Sequence, residues 1–596
     1  MCGICGELRF DQREPDLALI QRMLGRLARR GPDHEGCFSA GPLLLGHRRL
    51  AIIDLSERSN QPMVDSELGL VLVFNGTIYN YRELRRELLA KGYRFFSDGD
   101  TEVILKAYAE WGEHCVEHFI GIFAFAIWDR DKHTLFLARD RLGIKPLYYS
   151  RDGNRCFRFA SSTQALLEAG DVDLAIDPVA LHFQLSLHAV IPAPRTILQG
   201  IRKLPPATTL SIDAQGQERQ RTYWQLRATR PTQIYTEQGW LEAVHQSLIK
   251  AVRRRLDIAD VPVGVLLSGG LDSSLLVALL AESGVNNLLT FSIGFEDQPE
   301  ERGSEFEYSD PVAARYATRH QRYLIPNDEV LKRLPEAVTC MSEPMVAQDA
   351  VAFYLLAERV SQAVKVVQSG QGADEVFGGY FWYPRMEAER GSDLERFRRH
   401  YFDRDHPEYL ETVASVYRGP DHTAQFIADR LAEPGADEFL DRVLRLDVTT
   451  LIVDDPVKRV DNMTMAWGLE ARVPFLDHEV VELAMQLPPA LKIGDGGKYI
   501  LKKLARGRLP DAVIDRPKGY FPMPALKYVR GEFLQFMTDI LNSRACRERG
   551  LFQRSYLDKL LASPETYLTR LQGSKLWHAA LLELWLQLNV DAVKAA

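Results

Sequence analysis

A chain of 596 residues is too long for one hydrophobic core and predicts two to four domains. Its composition is that of an ordinary globular protein, and a formal net charge of −8 leaves no electrostatic footprint for nucleic acid. No apolar run approaches the length of a membrane span, no basic-then-apolar leader opens the chain, and cysteines at 2, 5, 37, 115, 156, 340 and 546 form no disulfide pattern. These features predict a cytoplasmic protein with neither nucleic acid nor membrane as partner. The basic runs VRRRLD (252–257) and RFRRH (396–400) read as solvated helix faces.

The first 225 or so residues are rich in short strands. LVLVFNGTIYN (70–80), FAFAIWDRDKHTLFLARD (123–140) and LYYSRDGNRCFRFASS (147–162) are apolar runs broken by turn residues. YRELRRELLAKG (81–92) and TEVILKAYAEWG (101–112) read as helices between them, and 203–226 as a closing hairpin and linker. The pattern is α+β, with antiparallel sheets covered by helices. From about 235 the character changes. A helix at 240–256, a strand VPVGVLLSGG (261–270), a helix at 271–283 and a strand LLTFSIGF (288–295) are followed by a further helix–strand unit over 350–375. Continuous apolar strands alternating with helices predict a parallel sheet with its ligand at the carboxyl ends of the strands. Beyond 380 the chain reads as mostly helical.

Cys2 becomes the first residue once Met1 is removed, and then carries a thiol beside a free α-amine. An α-amine titrates near about 7.7–8.0, so it can act as base for its own thiol. Taken alone, a cysteine after the initiator is more often structural. The C-x-x-C of Cys2 and Cys5 is half of a zinc site, but no second C-x-x-C completes it. Downstream stretches change the reading: RRGPDHEG (29–36), LGHRRLAIIDLSERSNQPM (45–63), FNGTIYNY (74–81), SDGDTEV (97–103) and ARDRLGIKPLYY (138–149). Over roughly 2–210 they resemble the glutaminase domain of the class II glutamine amidotransferases, N-terminal-nucleophile hydrolases. The resemblance implies that Cys2 attacks the side-chain amide of glutamine, forms a thioester and releases ammonia, with Gly3 leaving room around it. It implies Asn75 and Gly76 as the oxyanion pair, Arg49 as the grip on the α-carboxylate and Asp100 as the hold on the α-ammonium. The family usually has N-G-E where this chain has N-G-T, so Thr77 replaces a second acidic contact, and glutamine binding is either weaker or rests more on Asp100.

SGGLDSS (268–274) follows a strand and opens a helix, the context of a phosphate site, but lacks the G-K-[ST] of a Walker loop. It resembles the pyrophosphate loop of ATP-pyrophosphatases, which cleave ATP to AMP and pyrophosphate. The resemblance implies Asp272 as a magnesium ligand, Ser268, Ser273 and Ser274 as phosphate donors, and Gly269 and Gly270 as the open backbone between them. In SGQGADEVFGGY (369–380) it implies Asp374 as a second magnesium carboxylate and Gly370 against the nucleotide. Leu266 and Ile293 fall where adenine and ribose are held, and Lys498 where a lysine stabilises the activated intermediate. LEARVPFLD (469–477) reads as a helix start with an internal ion pair among Glu470, Arg472 and Asp477.

Together the halves resemble the glutamine-hydrolysing asparagine synthetase family, with a glutaminase sandwich over 1–225 and an ATP-pyrophosphatase domain with a helical remainder over 226–596. The implied substrates are glutamine, ATP and a carboxylate, with Mg2+ as cofactor; a homodimer is compatible with the sequence. ATP would adenylate the carboxylate, and ammonia crossing by an apolar route would displace AMP. The acceptor is the open point. VTCMSEPMVAQDAVAFY (338–354) has no arginine, and the usually acidic slot of S-G-x-G holds neutral Gln371. With the ending RLQGSKLWHAALLELWLQ (570–587), this looks closer to the branch amidating N-acetylglutaminylglutamine than to one amidating aspartate. The rival readings are a binder that lost the chemistry, which intact Cys2, Asp272 and Asp374 oppose, and a β-lactam-synthetase-like cyclase, which has no need of Cys2.

Overall fold

The computed structural model describes residues 2–11, 13–233, 235–297, 302–516 and 529–592. GKYILKKLARGRLPDAVIDRPKGYF (497–521) resembles the helical remainder of the asparagine synthetase family, and its last five residues lie outside the described ones.

The first half builds two six-stranded antiparallel sheets. One has the order Arg202–Lys203, Tyr148–Asp152, Cys156–Ala160, Gly3–Arg9, Leu43–Arg49, His34–Ala40. The other runs Glu218–Thr222, Thr208–Ile212, Thr134–Arg139, Gly121–Asp129, Leu70–Ile78, Met63–Asp65. Side chains alternate across each sheet. Ile4, Leu8, Leu43 and Leu45 of the first sheet therefore meet Val71, Val73, Ala124 and Ala126 of the second in one core. The intervening positions face outward onto helices, so these strands are buried on both sides and read as unbroken apolar runs. Helix Leu17–Leu27 covers the first sheet, and Tyr81–Ala90 and Asp100–Trp111 cover the second.

The second half carries a five-stranded parallel sheet, ordered Arg319–Ile325, Leu289–Phe295, Val263–Leu266, Val366–Gln368, Glu470–Arg472. Helices Glu237–Asp257, Leu271–Glu282 and Asp349–Val360 flank it. Two of its strands are not evident in the sequence. Arg319–Ile325 is an edge strand, largely exposed and polar. Glu470–Arg472 corrects the expected helix start: it is a strand paired with 366–368. The ion pair exists, Arg472 Nε to Glu470 Oε1 at 2.5 Å. Asp477 caps the helix that follows, His478–Met485, and also meets Arg255 Nη1 at 2.8 Å.

One long helix crosses between the halves. It is α-helical over Phe439–Leu446 and Lys458–Met465 and π-helical over Asp447–Leu451 and Val453–Val457. Asp454 and Asp461 face the first half. Lys203 Nζ reaches Asp454 at 2.7 Å and Glu343 at 2.9 Å, and Lys458 joins Glu343 at 3.2 Å. Asp461 bridges Arg30 at 2.9 Å and Lys145 at 3.0 Å. All of these groups are buried, so each carboxylate is matched by cations from the opposite half. Among the described residues no helix is long and apolar enough to cross a membrane.

Two candidate active sites

Cys2 lies at the start of strand Gly3–Arg9, almost fully buried. Its backbone nitrogen donates to Asn75 Oδ1 at 3.1 Å, and its carbonyl accepts from Arg30 Nε at 3.3 Å. Burial pushes the thiol up, against a Leu50 backbone N–H and the charge of Arg49, which pull it down. Asn75 sits in strand Leu70–Ile78 with no exposed surface, and its Nδ2 has no hydrogen-bond partner among the described residues. A buried amide N–H without a partner is costly and marks a place where a ligand oxygen belongs. Gly76 follows it; a Cβ there would stand 2.2 Å from the Ile122 carbonyl oxygen. Gly3 has another reason than room for substrate: its Cβ would stand 2.8 Å from Leu27 Cβ, so the residue lets helix Leu17–Leu27 close on the strand.

Arg49 donates to Ser56 O at 2.8 Å, Asn60 Oδ1 at 2.7 Å and Asp54 O, and so is held by the 53–60 loop. Asp100 opens its helix, fully buried, and accepts from the Ile78 N–H at 3.0 Å. Burial raises its carboxyl to about 6, only partly countered by that N–H. Thr77, one residue before Ile78, donates to Glu470 Oε1 at 3.4 Å. Burial would push Glu470 up, but Arg472 holds it ionised at about 2. A carboxylate from the second half thus stands beside the threonine that replaces the expected acid, and its field reaches both Cys2 and Asp100. Sequence reasoning missed it because 393 residues separate Glu470 from Thr77.

The second site is a cavity of about 740 Å³ at the carboxyl ends of the parallel strands. Leu266 and Ile293 line it at their strand ends, as do Ser268, Gly270, Asp272 and Ser273 from the turn into helix Leu271–Glu282. The loop is drawn tight by Ser268 Oγ and Ser273 Oγ, 3.1 Å apart, and by Gly270 N donating to Ser268 Oγ at 3.3 Å. Ser274 departs from expectation. It is fully buried and does not line the cavity, because the helix turns its hydroxyl inward; Gly269 is likewise off the wall. Gly370 and Gln371 line the opposite lip, beside Asp374. Lys498 Nζ stands between two carboxylates, 2.5 Å from Asp272 Oδ2 and 2.8 Å from Asp374 Oδ1. Burial would lower the lysine, but the two carboxylates outweigh it and hold it charged. Two carboxylates gripping a cation are a hard-oxygen site that fits a divalent ion.

Beyond the loop the cavity is walled by groups from distant segments. Arg459 from the long helix meets Asp349 at 3.0 Å and also pairs with Asp455. The 338–354 stretch lacks an arginine, but the fold supplies one from elsewhere, already matched by two acids. Gln348, Gln371 and Gln572 also line the cavity, with His188 from the first half and Trp577 and His578 from helix Lys575–Leu586. Glu305 and Arg516 pair at 3.0 Å on its rim. Gln371 stands in the S-G-x-G slot already singled out, whereas Arg459, His188, Glu305 and Arg516 carried no sequence motif.

Comparison with known proteins agrees with this division. The family model described as glutamine amidotransferase domain matches residues 1–224, and the one described as asparagine synthase matches 243–587. Glutamine-hydrolysing asparagine synthetase 1 of Bacillus subtilis (strain 168) is 31% identical over 99% of this chain and 97% of its own length. Glutamine-hydrolysing asparagine synthetase 3 of the same organism is 32% identical, covering 94% and 93%. Glutamine-hydrolysing asparagine synthetase 2 of Oryza sativa subsp. japonica is 29% identical, covering 89% and 77%. With both matches in one chain and relatives aligned from end to end, the chain belongs to the asparagine synthase family of amidotransferase ligases, its synthase region preceded by a glutamine amidotransferase domain.

Proposed function

We propose that a glutaminase domain over 1–225 feeds ammonia to an ATP-consuming synthetase domain over 226–596, which converts a carboxylate to an amide with release of AMP and pyrophosphate. The observation that carries the glutaminase is the unpartnered Asn75 Nδ2 beside Cys2. With Met1 removed, the Cys2 amine takes the thiol proton and the thiolate attacks the glutamine amide carbon. Asn75 Nδ2 and the Gly76 N–H hold the oxyanion, and Arg49 and Asp100 hold the α-carboxylate and α-ammonium. Thioester formation releases ammonia, and water then frees glutamate.

In the synthetase domain Leu266 and Ile293 bound the adenosine, while Ser268, Gly270 and Ser273 cradle the phosphates with Gly370 close to Asp272. Asp272 and Asp374 would hold magnesium, which supplies positive charge to the departing pyrophosphate. Lys498 adds its own charge there.

For the acceptor, the reading is N-acetylglutaminylglutamine. Three cavity-lining glutamines suit a substrate rich in amides, and Gln371 replaces a charge that a zwitterion would need. The second reading is aspartate, favoured by Arg459 in the same wall. The test is glutamine-dependent AMP release against both acceptors. The dipeptide should exceed aspartate in kcat/KM by about 30- to 1000-fold, the cost of polar groups left unmatched. Efficient asparagine formation overturns the acceptor assignment; ADP in place of AMP overturns the synthetase chemistry.

A further inference from the structure

We propose that Arg516 grips the pyrophosphate end of ATP, and that Glu305 holds the arginine at the phosphate loop until the nucleotide arrives. The proposal rests on the cavity being the synthetase site. The two residues come from distant segments. Glu305 immediately precedes helix Phe306–Arg315, and Arg516 follows helix Asp511–Ile514. Both line the cavity, and Arg516 Nη2 stands 3.0 Å from Glu305 Oε1.

The packing of the turn at 268–270 places the arginine. Gly269 has φ +79°, and a Cβ there would stand 2.7 Å from the Ser309 backbone nitrogen and 2.8 Å from Tyr308 Cβ. A glycine is therefore what lets the turn close on the helix that carries Tyr308. The Tyr308 ring in turn carries the Arg516 guanidinium, 4.6 Å from its centroid. A Cβ on residue 270 would stand 3.3 Å from Ser268 Oγ and 3.5 Å from Arg516 Nη2. The guanidinium thus shares the mouth of the turn with the serine hydroxyl. Its side chain keeps 11% of its surface in solvent and that of Glu305 keeps 17%, so both are enclosed yet reachable from the cavity.

Charge selects the ligand. Among the described residues Lys498 pairs with Asp272 and Asp374, and Arg459 with Asp349 and Asp455, so each of these cations is outnumbered by acids. Arg516 pairs with Glu305. A guanidinium offers five N–H donors in a rigid fork, more than one carboxylate uses. The others suit the paired non-bridging oxygens of a phosphate chain, which a fork meets two at a time. In the reaction the acceptor carboxylate attacks the α-phosphorus, the bond to the α–β bridging oxygen breaks, and its electron pair stays on the departing pyrophosphate. Arg516 faces the charge that grows there. Glu305 keeps the side chain in place before binding and competes with the phosphates for the same donors.

The test measures ATP kinetics by AMP release, inorganic pyrophosphate as a product inhibitor, and binding of AMP, which lacks the gripped phosphates. Arg516→Gln should raise the pyrophosphate inhibition constant and lower kcat/KM for ATP, each by about 10–100-fold, the worth of a charge-assisted hydrogen bond. AMP binding should change less than about threefold. Damage to the loop would instead weaken AMP and pyrophosphate together and lower the thermal midpoint. If the glutamine variant does so, Arg516→Lys, which keeps the charge and loses the fork, is read in its place and should show a smaller loss confined to pyrophosphate and ATP. Glu305→Gln should act in the opposite direction and tighten pyrophosphate by about two- to fivefold, because it releases the donors. Unchanged ATP and pyrophosphate constants in the arginine variants, or equal losses of AMP and pyrophosphate in both, overturn the grip. Pyrophosphate affinity unchanged or weakened in Glu305→Gln overturns the hold by Glu305. Either result leaves the synthetase reading intact. A wild-type enzyme that releases ADP, or that pyrophosphate does not inhibit, overturns that reading and the grip with it.

Discussion

Replacing Lys498 with methionine keeps the length of the side chain and removes the cation between Asp272 and Asp374. At an effective dielectric constant of about 20, charges separated by the observed 2.5 and 2.8 Å attract by roughly 6 kcal/mol each. Desolvation cancels most of that, and breaking a buried pair costs about 3–5 kcal/mol net. The three side chains keep 10, 18 and 20% of their surface in solvent, which places the loss near the lower bound, about 3 kcal/mol. The loss is repulsion between two carboxylates left facing each other, so a divalent cation should reverse it. In chelator, Lys498→Met should melt about 6 °C below wild type, at roughly 2 °C per kcal/mol. Millimolar magnesium should close most of that gap, and should shift the wild type less because its own ammonium competes for the same oxygens. AMP release should still fall by about a hundredfold, since the charge facing the leaving group is gone. Equal magnesium shifts in the two proteins would refute the assignment of this carboxylate pair as the metal site.

Cys2→Ala should lower glutamine hydrolysis by about 10⁴-fold or more yet leave ammonium-dependent amide synthesis in place; a parallel fall in both rates, measured as glutamate and AMP release, contradicts the two-site reading. Asp100, raised to about 6 by burial, must be ionised to hold an α-ammonium, so below pH 6 kcat/KM for glutamine should lose a further factor of about ten per unit, on top of the limb set by protonation of the Cys2 amine. The sign for stability is opposite: a carboxyl raised above its unfolded value stabilises the fold at low pH, and that contribution is lost as pH rises through 6. A fall that stays as steep below pH 6 in Asp100→Asn as in wild type points to another group. Asp461→Asn leaves Arg30 and Lys145 buried without their counter-charge and should cost about 3–5 kcal/mol in denaturant unfolding; a change below 1 kcal/mol shows that water reaches that interface.

What could be read from the chain beforehand depended on how local each feature is. Strands Gly121–Asp129 and Leu289–Phe295 are apolar on both faces because helices and a second sheet cover them, and such runs are visible in any window. The residues around Cys2 and the 268–274 turn lie in short motifs, since each is fixed by one strand and the turn beside it. Arg319–Ile325 escaped because an exposed edge strand has little apolar signal, and Glu470–Arg472 because three residues carry no period. The same reason hid Glu470 from Thr77, and Arg459, His188 and His578 from the acceptor wall: they meet only after segments hundreds of residues apart are packed. Ser274 failed differently. The motif named three serines, but Ser273 and Ser274 are neighbours in one helix, and a turn of about 100° per residue points them to different sides, Ser273 to the cavity and Ser274 inward.

The π-helical stretch at 447–457 sets a constraint that substitutions would not reveal. Its wider turn brings Asp447, Leu451, Asp455 and Arg459 onto the cavity at four-residue steps, while Asp454 and Asp461 reach the opposite half. A π-turn amounts to a residue inserted into an α-helix. Deleting one residue just beyond it, near 458, where the bonding is ordinary i→i−4 and cannot absorb the change, would rotate everything after it by about 100°. Arg459 would leave the cavity and Asp461 would leave Arg30, both in one step. The length of the helix beyond the wide turn is therefore a constraint separate from that on its side chains, of which Val448, Leu451 and Ile452 are core residues in their own right, and a single-residue deletion there should abolish synthesis.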